Sequence, residues 1–176
     1  MKARQSFFCR VFHSFMGILL AVCVTISAMP AFAASESIPA EKSTLEPILT
    51  YQLLDKLAAE HGKVILVNFF ASFCGPCRRE IPELIQLRKE FSEQDLVIIG
   101  IAIDQDIRDA ASFVDELGVA KAYPVYYGGE DLARSYRISA IPFNVIYNRE
   151  GRIEVSEAGY IPSADMKKFL QDLIRR

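Results

Sequence analysis

Apolar positions recur along the chain first at helical and then at strand spacing. Leu45, Ile48, Leu49, Leu53, Leu54, Leu57 and Ala58 follow a three-to-four residue period that stops at His61-Gly62, which predicts a helix. Lys63 to Phe70 (KVILVNFF) is a nearly unbroken apolar run rich in β-branched and aromatic residues, as a strand buried on both faces requires. A second helix is predicted from Cys74 to about Ser92, with Ile81, Leu84, Ile85 and Leu87 inward and Arg78, Arg79, Glu83 and Lys89 toward water. Leu96 to Ile103 (LVIIGIAI) reads as a second buried strand. Asp104 or Asp106 can cap a helix over 107–117 that ends at Gly118. A short strand at Val125–Tyr127 turns at Gly128-Gly129 into a small helix near 130–136. Phe143–Tyr147 and Arg152–Val155 flank Asn148-Arg149-Glu150-Gly151 as a hairpin. Ser163 can cap a closing helix to Ile174, whose apolar side is Met166, Phe169, Leu170 and Leu173. Strands alternating with helices, then a hairpin and a last helix, predict an α/β sheet with helices on both faces.

The first 33 residues follow a different pattern. Lys2, Arg4 and Arg10 precede an apolar run from Phe15 to Ala28, Pro30 breaks it, and Ala31-Phe32-Ala33 offers small residues to a peptidase. A basic start, a short apolar run and A-x-A describe a secretory signal peptide over 1–33. Extended back to Val11, the run approaches the ~20 residues of a membrane span, so an uncleaved anchor is the alternative. Residues 34–43 (ASESIPAEKS) are small and polar, a linker before one domain over 44–176. The expected location is periplasmic or otherwise extracytoplasmic.

Composition gains meaning once that segment is set apart. The whole chain has 176 residues, 20 basic and 22 acidic, with 51% hydrophobic and 24% charged, which excludes disorder. Removing Lys2, Arg4 and Arg10 leaves 17 basic against 22 acidic residues, a net charge of -5 that offers nothing to nucleic acid. Cys9 and Cys23 leave with the signal. Of the four cysteines, Cys74 and Cys77 remain, which excludes a four-cysteine zinc site within one mature chain.

Cys74-Gly75-Pro76-Cys77 falls where the buried strand gives way to a helix. Unpaired N–H groups and the helix dipole at that N-terminus stabilise a thiolate, the nucleophilic form. Pro76 suits the first helical turn. The spacing also fits a structural disulfide, half a metal site or a Cu(I) pair. Its junction position, with no other mature cysteine, favours redox exchange. Cys74 is then the exposed attacking thiol and Cys77 the shielded resolving thiol, in a reaction that needs no metal and no cofactor.

The stretch Val67-Asn68-Phe69-Phe70-Ala71-Ser72-Phe73-Cys74-Gly75-Pro76-Cys77-Arg78-Arg79-Glu80-Ile81-Pro82, with Ile141-Pro142 and the Arg149-Glu150-Gly151-Arg152-Ile153 turn, resembles the thioredoxin superfamily. Within it the match is to the TlpA/ResA/CcmG-like extracytoplasmic thiol–disulfide oxidoreductases. The resemblance covers about 45–174. It implies a thioredoxin fold with a central mixed sheet and, across Leu96 to Arg137, the TlpA-like central insertion. It also implies a monomer that reduces disulfides in protein substrates, as in cytochrome c maturation or metal-site assembly, recharged by a membrane electron donor of the DsbD/CcdA type. A disulfide oxidase or isomerase, and a Cu(I) metallochaperone or binding module, are the alternatives.

By the same resemblance, Pro142 follows a cis bond beside the sulfurs, and Phe73, Gly75, Pro76, Ile141 and Pro142 meet the substrate. Glu80 joins Cys74 and Cys77 as a catalytic residue that tunes cysteine acidity; read from its helix alone it is an exposed carboxylate. Asn68 stands where cytoplasmic thioredoxins carry a buried Asp, and an amide cannot take a proton, so Glu80 or water is the expected base. Phe73 and Phe70 replace the usual tryptophans, Ile141 stands where several relatives have Thr, and Asn144 replaces a commoner Thr.

Other features are assigned structural roles. His61 suits a helix end. Asp104, Asp106 and Asp109 lack the Gly and Glu that a calcium loop needs and are assigned to capping and a wet face. Tyr123, Tyr126, Tyr127 and Tyr136 are assigned to packing.

Overall fold

A computed structural model describes residues 44–176. The signal and linker expectations for 1–43 lie outside the described residues. Among the described residues no helix is long and apolar enough to cross a membrane.

The elements follow the order β1 (Glu46–Pro47), α1 (Thr50–Ala59), β2 (Val64–Phe70), α2 (Gly75–Arg88), β3 (Leu96–Ala102), α3 (Ile107–Leu117), a 3-10 turn (Val119–Lys121), β4 (Val125–Tyr127), α4 (Gly129–Ser135), β5 (Phe143–Tyr147), β6 (Ile153–Ala158) and α5 (Ser163–Arg175). The strands make one mixed sheet in the order β1-β4-β3-β2-β5-β6. β1, β4, β3 and β2 run parallel to one another, while β5 is antiparallel to both β2 and β6.

Strand β2 is buried along its whole length because both sheet faces are covered. Ile65, Val67 and Phe69 face α1 and α4 in one apolar cluster. Val64, Leu66 and Phe70 face α2, α3 and α5 in the other, with Cys74 and Cys77. Each fully buried large apolar side chain contributes about 1.5–3 kcal/mol relative to exposure. Asn68 is the polar member of β2, on the α2 side and fully buried. At the end of α3, Gly118 adopts φ 64°, the left-handed cap conformation that glycine takes without steric cost.

The first predicted helix divides in two. Leu45 and Ile48 are buried beside β1, Ile48 donates its N–H to the Tyr127 carbonyl at 2.9 Å, and the helix starts only at Thr50. Pro47 disfavours helical backbone at the residue before it, so the edge strand prevails. Leu49 and Leu54, placed on the inner face by periodicity, are about half exposed. The second helix stops at Arg88, four residues early. Strand β6 reaches Ala158. Ser163 does not cap α5: Pro162 is its N-cap, without a side-chain hydrogen bond.

Candidate functional site

Cys74 is the N-cap of α2, and its Sγ accepts the Cys77 N–H at 3.1 Å. The local sequence explains the placement. β2 ends against the sheet's top, Cys74 N–H turns back onto the Ala71 carbonyl at 3.1 Å, and Pro76 starts the helix where no N–H is needed. Cys74 and Cys77 are joined by a disulfide with Cα atoms 5.3 Å apart. Cys77 is fully buried, but Cys74 is also only 6% exposed, against the expectation of an open thiol. The difference arises because the Cys74 sulfur is held against its own helix by the disulfide and the cap.

Phe73 projects into solvent, 77% exposed. Gly75 and Pro76 are exposed beside it. The Ile141–Pro142 peptide bond is cis. Pro142 is buried, and half-buried Ile141 packs against the cluster that contains both cysteines. Thus Phe73, Cys74, Gly75, Pro76 and Cys77 share one loop-to-helix junction, and Ile141, before the cis bond, packs against the cluster that holds the cysteines and against the one on the other sheet face.

Glu80 lies one turn after Cys77 and is only 1% exposed, not the open carboxylate its helix alone implied. Asn68 Nδ2 donates to Oε2 at 2.8 Å, Asn144 Nδ2 to Oε1 at 2.9 Å, and the Ile161 N–H to Oε1 at 3.2 Å. Burial pushes the Glu80 carboxyl above its ordinary range; the three donors oppose that shift, and nearby Glu83 adds to it. Asn68 Nδ2 also donates to Asn144 Oδ1 at 2.8 Å. The two asparagines face each other across the β2–β5 register, which places both amides on one face.

Two acidic residues take roles other than those their sequence positions implied, and a third takes the cap it was offered. Asp104 is 2% exposed rather than a helix cap. Its Oδ1 accepts the Ser72 N–H at 2.9 Å and hydroxyl at 2.5 Å, fixing the loop two residues before Cys74. Asp106 performs the capping, accepting the Arg108 N–H at 2.8 Å. Glu83, expected in water, accepts the Tyr160 hydroxyl at 2.8 Å and the Ser163 N–H at 3.2 Å, so it supplies the cap that Ser163 does not. The tyrosines pack as expected: Tyr123 is buried, and Tyr136 and Tyr147 pair hydroxyls at 3.1 Å.

A buried disulfide at a helix N-terminus, beside a buried carboxylate, is an arrangement that can exchange thiol for disulfide and move a proton near the sulfurs. Comparison with known proteins bears on which family builds it. The Redoxin family model matches residues 28–173. The chain belongs to the Redoxin family. This Redoxin-family chain is 27% identical over 111 residues to the thiol-disulfide oxidoreductase ResA of Halalkalibacterium halodurans, a match spanning 62% of each protein's length. It is 28% identical over 148 residues to the thiol:disulfide interchange protein HelX of Rhodobacter capsulatus, covering 84% of this chain and 81% of HelX. A crystal structure of a thiol:disulfide interchange protein of the thioredoxin family from Chlorobium tepidum superposes with a TM-score of 0.60 at 27% identity, over 66% of this chain and 83% of that one. The thioredoxin fold expected from the sequence is therefore the fold of this Redoxin-family chain.

Proposed function

We propose that this chain is an exported thiol–disulfide oxidoreductase that reduces disulfides in protein substrates through Cys74 and Cys77. The observation that carries the reading is the Cys74–Cys77 disulfide at the α2 N-terminus, where Cys74 Sγ already accepts a helix N–H. In the reduced protein the same N–H and the helix dipole favour the Cys74 thiolate. That thiolate attacks one sulfur of a substrate disulfide, forms a mixed disulfide and releases the other sulfur as a thiolate. Cys77 then gives up its proton and attacks Cys74 Sγ, releasing the second substrate sulfur and closing the Cys74–Cys77 disulfide. Two electrons have passed to the substrate. A membrane electron donor of the DsbD/CcdA type returns them.

Glu80 is the proton acceptor and donor for this exchange. Its raised proton affinity suits a group that both takes and returns a proton during the exchange. Exposed Phe73, Gly75 and Pro76, with half-buried Ile141 held by the cis bond to buried Pro142, form the surface that meets the substrate. Export by residues 1–33 places the reaction outside the cytoplasm, with apocytochrome c or a metal-site protein as the kind of substrate served.

Equilibration of the Cys74–Cys77 pair with glutathione tests the direction. A strongly reducing potential is expected, and a strongly oxidising one, as of a disulfide donor, contradicts the reductase reading. Reduction of insulin disulfides with a dithiol as electron source, lost in Cys74→Ser, is the accompanying activity assay.

A further inference from the structure

Every polar atom that reaches the Glu80 carboxylate among the described residues is a donor. Asn68 Nδ2 and Asn144 Nδ2 each take one oxygen, and the Ile161 N–H shares Oε1. Asn68 directs both N–H bonds to acceptors, Glu80 Oε2 and Asn144 Oδ1, while its own Oδ1 is buried with no hydrogen-bond partner. An unpaired buried amide carbonyl costs free energy, so the cage gives up one bond to present N–H groups to Glu80. A neutral carboxylic acid needs an acceptor for its own O–H, and the cage offers it none in this arrangement.

The three donors also come from three different places. Asn68 belongs to β2, Asn144 to β5 two residues after Pro142, and Ile161 to the connection between β6 and α5. The Gly159 N–H, on that connection, donates to the Pro142 carbonyl at 2.7 Å. Glu80 thus ties the helix that carries Cys77 to the strand that follows Pro142.

We propose that Asn68 and Asn144 are a matched pair of positioning residues that hold the Glu80 side chain as a carboxylate and thereby set the pH at which it exchanges its proton. The proposal deepens the reading of Glu80 as the proton carrier and rests on it for its catalytic meaning. The titratable groups around Glu80 are Glu83 on its own helix, Tyr160 beyond β6, Tyr123 after the 3-10 turn, and Cys77 one turn before it once reduced. Glu83 and the two tyrosines carry no positive charge, so the amides and the Ile161 N–H supply the stabilisation of the anion. Burial and Glu83 act against them. Removing one amide leaves burial less opposed, and the Glu80 midpoint must rise.

The test follows the Glu80 side-chain carboxyl carbon by NMR across pH in the oxidised protein, with Glu80→Gln identifying the resonance. Asn144→Leu and Asn68→Leu keep similar volume and remove the donor. Either variant that folds is expected to raise the Glu80 midpoint by about one pH unit, the scale of one lost charge-assisted bond. Asn144→Thr, which restores an O–H donor, is expected to bring it part of the way back. In the reduced protein, the bend in the Cys74–Cys77 potential against pH should move with the midpoint. A midpoint unchanged in the leucine variants overturns the proposal, as does a Glu80 carboxyl that never titrates while the protein stays folded. A midpoint that moves, joined to a potential whose pH dependence is unaltered by Glu80→Gln, leaves the amide pair intact and overturns the proton-carrier role instead.

Discussion

Glu80 is a charge-bearing side chain in a core that would exclude it if Asn68, Asn144 and the Ile161 N–H were absent. Its proton affinity is higher in the folded than in the unfolded chain, chiefly through burial. The sign of the resulting stability change follows. Below the ordinary glutamate range, about pH 4.3, both states hold the proton and the contribution is fully present. As pH rises toward the raised folded value, the unfolded chain loses its proton first, and stability declines until the folded carboxyl has ionised too. The difference in urea unfolding free energy between wild type and Glu80→Gln should therefore fall as pH rises across that window; a flat difference contradicts the burial of this carboxyl. The helix pattern alone placed Glu80 in water, and only the family resemblance marked it as a site residue; its burial against Asn68 and Asn144 is set by partners outside α2. Its partner Asn144 was visible only as a departure from the family, because the β2–β5 register that sets it opposite Asn68 is a tertiary fact. Asp104 was misassigned for the same reason: Ser72, 32 residues away, decides its role.

At the scale of elements, the pattern read best where both faces of an element are covered or where the caps are local. α3 spans Ile107–Leu117 and ends at Gly118 as predicted, and β4 and β5 match to the residue. The reading failed at the sheet edge, where two residues of β1 pair with β4 and interrupt a helical apolar period. It failed again at α5, whose first turn is served by a side chain from α2, 80 residues away. Glu83 joins these two helices by bonding both Tyr160 and Ser163. Replacing it with alanine removes a helix-end acceptor, and the expected cost is about 1 kcal/mol of unfolding free energy. Urea unfolding of Glu83→Ala reads this directly, and a variant as stable as wild type would mean that water caps α5 equally well.

Across the whole molecule, the sheet divides the core into two apolar clusters, and the cysteines belong to the one shared by α2, α3 and α5. That division follows from the alternation along β2, where even-numbered residues face the redox helix. The sequence also carried the chemistry at this scale, because the strand-to-helix junction puts Cys74 at a helix N-terminus whatever the distant partners are. Under the proposed function, a protein substrate would be selected by surface shape around Phe73 and Ile141, which no spacing encodes. Its capture is the most direct test of the central claim that Cys74 attacks and Cys77 resolves. With Cys77→Ala expressed in its native compartment, Cys74 should accumulate in mixed disulfides that dithiol releases and that Cys74→Ser with Cys77→Ala does not form. If the adducts instead persist when Cys74 is replaced, or if Cys77→Ala forms none while wild-type protein still cycles between dithiol and disulfide, Cys74 is not the attacking thiol and the account is wrong.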